Sequence, residues 1–245
     1  MNQRQQKILA SVVELYTESA VPVGSQALLE RYSFDVSPAT IRSDMATLEK
    51  AGYLYQPHTS AGRIPTDLGY RYFVEEIMPD DQMSVADQKN LQKELLQLRA
   101  KHARLGRSTA KLLSTFSGNL AVSGVIGADE VYDFGMKELL EKQEFQELDE
   151  MCRLVEALDT LDEKFDLILA QVKDGKTHIF IGSENPIKEI SNCSMVVAPY
   201  ESKEGKGILA IIGPKRMEYA KNKSLLEHMK KLLGAAAIVI MIVNV

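Results

Sequence analysis

Apolar residues recur at helical spacing near the start of the chain and predict two successive helices. The first is expected over residues 3–19. The segment VPVG then interrupts the pattern, and a short second helix follows over residues 25–31, with Ser25 as its expected N-cap. The apolar stripe of the first helix is formed by Ile8, Val12 and Leu15. Two helices separated by a short break are typical of a helix-turn-helix.

A third helix is predicted by Ile41, Met45 and Leu48, which fall at i, i+4 and i+7 and define one buried face. Ser37 is a suitable N-cap, because its hydroxyl accepts a hydrogen bond from a free N–H group of the first turn. Pro38 suits the first helical position, where no N–H donor is needed. The other faces of this helix carry polar side chains that are available to a partner.

A glycine stop and a short hairpin are predicted directly after the third helix. Gly52 lies where a helix C-terminus favours a left-handed residue, and residues 53–55 alternate like a short strand. Residues 58–63, HTSAGR, form a polar loop. Three helices followed by a hairpin predict a winged helix-turn-helix DNA-binding domain, whose third helix enters the major groove.

The DNA-facing side chains are expected on the third helix and on the loop that follows it. Thr40 and Ser43 could donate or accept hydrogen bonds at base edges. Arg42 could bond a guanine edge or a phosphate, or it could form an ion pair with Asp44 or Glu49. The residues predicted to contact DNA are Ser25, Ser37, Pro38, Ala39, Thr40, Arg42, Ser43, Lys50, His58, Thr59, Ser60 and Arg63.

Two of these candidates have equally simple structural interpretations. Ser25 could direct its hydroxyl and backbone N–H to a phosphate, or it could only cap its helix. His58 could be a plain turn residue, and no second His or Cys lies near it at metal-ligand spacing. We therefore predict no metal and no cofactor.

After Pro79 the pattern changes to that of helices packed on a sheet, so the whole chain is predicted to be an α+β protein. Helices are predicted over residues 85–113, 145–173 and 219–233. Short strands are predicted over residues 122–126, 177–181, 195–198 and 207–212. The apolar tail, residues 235–243, is too short to cross a bilayer and is expected to be a buried strand or a helix end.

Composition and charge narrow the functional classes. The chain has 245 residues, of which 45% are hydrophobic, and this is enough for one to three domains with buried cores. A net charge of −5 is unfavourable for indiscriminate DNA binding, so affinity has to come from local placement of cations. One basic cluster either lies along phosphates or pairs with the acidic stretch that follows it, residues 129–166. This cluster contains Arg99, Lys101, Arg104, Arg107 and Lys111.

The sequence carries no recognisable catalytic constellation, so we predict that the protein is not an enzyme. The four histidines are scattered, and the sequence contains no nucleophile elbow or phosphate loop. Cys152 and Cys193 form no redox motif and are expected to be packed in a core, as in a reduced, cytoplasmic protein. No apolar signal core or membrane span is predicted.

Three regions in the same order carry a family resemblance, and the last of them consists of two stretches. PHTSAGRIPTDLGYRYFV, residues 57–74, resembles a signature of the heat-inducible transcription repressor family HrcA. VYDFGMKELLEKQEF, residues 131–145, is similar to a middle segment of that family. GSENPIKEISNCSMVVAPY, residues 182–200, and KGILAIIGPKRMEYAK, residues 206–221, resemble its C-terminal patterns.

The resemblance implies a repressor of heat-shock chaperone genes. Such a repressor binds double-stranded operator DNA with an inverted repeat as a homodimer, and it depends on a GroEL-type chaperonin for its active form. In the family, a GAF-like domain with an inserted dimerising domain precedes the middle segment. Only residues 116–130 stand in that place here, so the first half of the GAF-like domain and the insertion are reduced or absent.

The predicted division of the chain is therefore threefold. Residues 1–78 form the winged-helix domain, residues 79–115 a helical connector, and residues 116–245 a reduced GAF-like α/β regulatory domain. Two other functions remain open on the sequence: a winged-helix regulator controlled by a small molecule bound to the C-terminal domain, and an interaction protein that uses the wing on another protein.

Overall fold

The computed structural model describes residues 1–80, 82–101, 105–125, 131–172, 175–202 and 205–243. The chain forms two compact units. The N-terminal unit consists of Met1–Pro79 and Lys215–Glu218, and the C-terminal unit of Asp80–Pro214 and Tyr219–Val245. The two units differ in architecture, because the first is mainly helical and the second is built on a five-stranded sheet.

The N-terminal unit begins with three helices and a small antiparallel sheet. Helices α1, α2 and α3 span Gln3–Ser19, Ser25–Arg31 and Pro38–Lys50, as the sequence predicts. Strands β1 and β2 span Leu54–Tyr55 and Ile64–Pro65. Helix α4, Asp67–Tyr72, then continues into a π-helical turn, Phe73–Ile77, which the sequence pattern does not reveal.

The core of this unit confirms the predicted apolar stripes. Ile8 and Val12 of α1 are fully buried, and so are Ile41 and Met45 of α3. One capping prediction is wrong, because Gly24 and not Ser25 is the N-cap residue of α2, with no side-chain cap. Ser25 is instead the first helical residue and is buried.

The C-terminal unit contains one antiparallel sheet in the order β4-β3-β7-β6-β5. The strands are β3 Leu120–Val125, β4 Val131–Phe134, β5 His178–Ile181, β6 Cys193–Ser202 and β7 Gly205–Pro214. The sequence predicts four of these strands, although β6 and β7 are longer than expected, and it does not predict β4. The central pair, β3 and β7, joins Leu120 to Ile212 at one end and Val125 to Gly207 at the other.

Several helices complete the C-terminal unit. They are α5 Val85–Lys101, α6 Leu105–Ser117, α7 Met136–Leu140, α8 Leu148–Asp159, α9 Leu161–Gln171 and α10 Tyr219–Val243. Two predicted long helices are wrong in extent. The predicted helix over residues 85–113 is two helices, and the one over residues 145–173 is broken at Thr160, whose backbone is not helical. The apolar tail, residues 235–243, belongs to α10.

Alternating residues of the central strands divide the core into two layers. Val122, Met195 and Ala210 join Leu154 of α8 and Ile168 of α9 in one apolar cluster. The neighbouring strand positions are also buried but lie outside this cluster, and α6 and α10 pack against the sheet as well. The sheet therefore lies between two helical layers, which explains why its central strands are apolar on both faces.

The outcome for the two cysteines is mixed. Cys193 is buried in β6 as predicted, whereas Cys152 of α8 is exposed, so the prediction that both are core residues is wrong for Cys152.

None of the helices within the described part of the chain has the length and apolar character to cross a membrane. Of the predicted basic cluster, Arg107 and Lys111 are exposed on α6, whereas Arg104 and the side chains of Arg99 and Lys101 lie outside the described part of the chain.

Candidate nucleic-acid interface

The first turn of α3 is fixed by its cap. The Ser37 hydroxyl accepts a hydrogen bond from the Thr40 backbone N–H at 3.2 Å, and the two hydroxyls lie 2.9 Å apart. Pro38 occupies the first turn, where its missing N–H costs nothing. Ser37, Pro38 and Ala39 are exposed and Thr40 is half-buried, so the predicted first-turn residues lie together at an accessible helix end.

The exposed face of α3 is polar. Arg42, Ser43, Thr47 and Lys50 are exposed, opposite the face that carries the buried stripe. The Thr47 hydroxyl donates to the Ser43 carbonyl at 3.0 Å. Lys50 ends the helix, where a cation interacts favourably with the helix dipole. The helix therefore presents one guanidinium and one ammonium group from a mainly polar surface.

Arg42 is not engaged by either of its expected carboxylate partners. Asp44 accepts from Arg4 of α1, with Nε and Oδ2 2.6 Å apart, and this contact raises the pKa of the Arg4 guanidinium. Glu49 accepts from Arg63, with Nε and Oε2 2.9 Å apart. Within the described residues Arg42 has no ion-pair partner, so its five N–H donors remain available to another molecule.

The loop between β1 and β2 is ordered by side-chain contacts. The strands pair through Leu54 with Pro65 and Tyr55 with Ile64. The Gln56 amide donates to the Thr59 carbonyl at 3.1 Å and to the Ala61 carbonyl at 2.7 Å. His58, Thr59 and Ser60 form the exposed tip of this loop. The tip thus has a defined backbone although its side chains face solvent.

The base of the loop is joined to the segment before α2. Arg63 and Val23 exchange two backbone hydrogen bonds of 2.9 and 2.8 Å. A Cβ atom on Gly62 would lie 2.4 Å from the Val23 carbonyl carbon, so only glycine fits this approach. The Arg63 side chain is 14% exposed and is held by Glu49. Arg63 therefore lies at the base of the loop and connects it to both α3 and the α1–α2 connection.

The structure brings most of the predicted residues into two neighbouring elements but separates two from them. Ser25 is buried at the start of α2, and Arg63 is largely covered at the base of the loop. Sequence reasoning missed the residues that position the others, namely Arg4, Gln56 and Gly62. The glycine in the loop was a visible signal, whereas an ion pair between Arg4 and Asp44, forty positions apart, leaves no local pattern.

The described residues include no group of three or more His, Cys, Asp or Glu side chains that could hold a metal ion. Other cations of the N-terminal unit already have partners. Lys7 donates to the Ser33 carbonyl at 2.7 Å and lies over the Phe34 ring, and Arg31 pairs with Glu18. The unpaired cations of α3 are therefore the strongest anion-binding feature of this surface.

The family model described as the HrcA protein C terminal domain matches residues 78–222, which is more than half of the chain. The chain belongs to the HrcA family. This confirms the resemblance drawn from the three sequence segments.

Relatives align with the chain over nearly its full length. The heat-inducible transcription repressor HrcA of Carboxydothermus hydrogenoformans is 28% identical over 334 aligned positions, which include 96% of this chain and 97% of the relative. The HrcA protein of Pelotomaculum thermopropionicum is 27% identical, with 96% of each chain covered. Because this HrcA chain has 245 residues, these alignments contain a long stretch that the relatives carry and this chain lacks.

A solved structure shares the fold. The crystal structure of a hypothetical protein superposes with a TM-score of 0.72 and 20% sequence identity, and the superposition covers 96% of this HrcA chain and 98% of the other. At this identity the comparison supports the fold alone.

Proposed function

We propose that this HrcA protein is a cytoplasmic DNA-binding transcriptional repressor of heat-shock chaperone genes. The single observation that carries the proposal is the exposed polar face of α3, where Arg42 lacks an ion-pair partner within the described residues while both nearby carboxylates are held by other arginines. The repressor names of the aligned relatives support the same assignment. In this proposal, the N-terminal unit is a winged helix-turn-helix domain.

The proposed DNA contacts lie on α3 and on the loop between β1 and β2. The first two turns of α3 enter the major groove, where Thr40, Arg42 and Ser43 approach base edges. Ser37, Pro38 and Ala39 lie at the helix end that meets the DNA backbone, and Lys50 reaches a phosphate. The wing tip, His58, Thr59 and Ser60, contacts phosphate or the minor groove. Arg63 is largely covered and mainly holds the wing in place, and Ser25 is buried at the start of α2, where it supports that helix.

The proposed operator is an inverted repeat bound by a homodimer. A twofold dimer presents two α3 helices, and their half-sites lie a whole number of DNA turns apart, roughly 34–36 Å per turn. The C-terminal unit, proposed to be a reduced GAF-like domain, regulates this activity. We also propose that a GroEL-type chaperonin maintains the active form, so that repression falls when misfolded proteins occupy the chaperonin.

Arg42→Ala tests the proposal in a gel-shift titration with operator DNA and with a scrambled duplex. Loss of a bidentate base contact is expected to reduce discrimination between the two duplexes by roughly 1 to 3 kcal/mol. Loss of a phosphate contact would weaken binding to both duplexes equally and reduce the salt dependence of binding.

The matched control is Arg153→Ala, because Arg153 is exposed on α8 and pairs only with Glu150 among its described contacts. This control is expected to bind both duplexes as the unaltered protein does. If Arg42→Ala also binds both duplexes unchanged, Arg42 does not belong to the interface. A full-length protein without salt-dependent affinity for duplex DNA would refute the proposed function.

A further inference from the structure

The C-terminal unit contains an open cavity of about 580 Å³ between the end of α9 and the β6–β7 hairpin. Its walls include Leu169, Val172, Pro199, Tyr200, Lys206 and Lys230. Pockets of roughly 300–1,000 Å³ accommodate small organic molecules. The cavity is therefore large enough for a small organic ligand, and its lining residues indicate the chemical class of that ligand.

The cavity forms where β6 extends beyond β5. The last pair between these strands is His178 with Val197, whereas β6 continues to Ser202. Up to Val197 and Ile208, the same face of the hairpin belongs to the apolar cluster beneath α8 and α9. Beyond them the hairpin continues without β5 beside it, so the apolar face opens into the cavity.

Apolar groups line the inner part of the cavity. Val172 is 2% exposed at the end of α9, and Leu169 is half-buried one turn earlier. Pro199 pairs with Ile208 in the β6–β7 ladder and continues the hairpin face that carries the apolar cluster. These groups can bury the apolar body of a ligand.

Among its described lining residues, the cavity has the ammonium groups of Lys206 and Lys230 and one carboxylate, that of Glu201. Lys206 is exposed and has no hydrogen-bond or ion-pair partner within the described residues. It lies directly opposite Glu201 in the β6–β7 ladder. The Lys230 ammonium donates to the Gly175 carbonyl at 2.6 Å, which leaves two of its three N–H groups for another acceptor.

We propose that this cavity binds a small amphipathic carboxylate. Its hydrocarbon part packs on Leu169, Val172 and Pro199, and its carboxylate accepts hydrogen bonds from Lys206 and Lys230. The apolar interior disfavours a fully polar anion, and the two ammonium groups disfavour an amphipathic cation. The site is independent of the DNA-binding function proposed above, because none of its residues belongs to the N-terminal unit.

The test is isothermal titration calorimetry of the full-length protein with decanoate below its micelle concentration. Decan-1-ol and decylammonium have the same hydrocarbon chain, with no charge or the opposite charge. Decanoate is expected to bind saturably and at least about fivefold more tightly than either, as one added ion pair predicts. Equal binding of the three compounds, or no saturable binding of decanoate, overturns the proposal.

Two substitutions with opposite expected signs separate charge recognition from a loss of folding. Lys206→Gln is expected to weaken decanoate binding by about fivefold, whereas Glu201→Gln is expected to strengthen it by about twofold or more. The control is Lys188→Gln, an exposed lysine away from the cavity, which should leave the affinity unchanged. An equal effect of Lys206→Gln and Lys188→Gln contradicts the site.

Fluorescence locates the ligand. The chain contains no tryptophan, so Ala170→Trp places a single indole at the exposed cavity wall. Decanoate is expected either to shift the indole emission or to lose affinity because the indole occupies the space. Unchanged affinity together with unchanged emission would place decanoate elsewhere and overturn the proposal.

Discussion

Single residues of the N-terminal unit divide into those that are free to contact the proposed DNA partner and those that hold them in place. Arg42 belongs to the first group, because Asp44 and Glu49 are taken by Arg4 and Arg63. The sequence alone leaves the partner of Arg42 undecided, because Asp44 and Glu49 both lie within a few residues of it. The structure resolves the choice by placing Arg4 beside Asp44.

Gly62→Ala should destabilise the loop at the base of the wing. The added methyl group would lie 2.4 Å from the Val23 carbonyl carbon, so the backbone has to shift, at a cost of roughly 1 to 3 kcal/mol in the free energy of unfolding. Urea unfolding measures this loss, and operator affinity should fall with it.

Gly234→Ala is the control for that substitution. A Cβ atom there meets nothing closer than the Glu201 carbonyl at 3.9 Å, and alanine is the better helix former, so stability should be unchanged or higher. If both alanine variants have the same stability, the close approach at Gly62 does not constrain the wing.

The environment of His228 leads us to expect that the folded protein loses stability in mild acid. Burial lowers the pKa of its imidazole below the ordinary value of 6.5, and Lys231 acts in the same direction, although a hydrogen bond with the Gln88 backbone opposes them. The unfolded chain therefore takes up the proton first as the pH falls, and the folded state loses stability below about pH 6.5.

Comparison of His228→Gln with the unaltered protein isolates this contribution. Urea midpoints measured between about pH 7.5 and about pH 5 should fall less steeply in the variant. Parallel profiles for the two proteins would show that His228 does not contribute to the pH dependence.

At the scale of elements, α3 could be read from the sequence because all its determinants are local. Ser37, Pro38 and the apolar stripe lie within a few turns of one another, and each acts on the same helix. The break between α8 and α9 could not be read in this way. No glycine or proline marks it, and Thr160 ends α8 with its hydroxyl bonded to the Glu156 carbonyl at 3.0 Å.

Strand β4 and the ion pairs between distant segments could not be predicted from the sequence either. β4 is a short strand with no fully buried residue, and its sequence lacks the run of consecutive apolar residues that marks β5. It exists because it pairs with β3 through Ala121 with Phe134 and Gly124 with Val131. The predicted residues of the interface were likewise found from local polarity, whereas the ion pairs that position them join distant segments.

Ser37→Ala should destabilise α3 by about 1 kcal/mol, because the Thr40 N–H loses its acceptor. Ser43→Ala is the matched comparison, since Ser43 is exposed in the helix interior and alanine favours a helix. We expect Ser43→Ala to retain the urea midpoint and to weaken operator binding. Equal stability of Ser37→Ala and the unaltered protein would show that the cap contributes nothing to α3.

At the scale of the whole molecule, the order of strands in the sheet makes folding depend on distant segments. β3 pairs with β7, and the chain between them forms β4 to β6 and several helices. Pairing of distant strands is slow, and it leaves strand edges unpaired in the meantime. This property gives the proposed chaperonin dependence a physical basis.

Refolding of the full-length protein from urea tests that dependence. With a GroEL-type chaperonin and ATP, recovery of operator binding should rise several-fold over spontaneous refolding, because aggregation of the open sheet is suppressed. Light scattering should fall in parallel. Equal recovery of operator binding with and without chaperonin would rule out assistance at this step.

The N-terminal unit includes Lys215–Glu218 as well as Met1–Pro79, so it is not one continuous stretch of chain. A ribosome has to translate the chain as far as Glu218 before that unit is complete. A polypeptide that terminates before Lys215 therefore lacks part of the unit that we propose binds the operator.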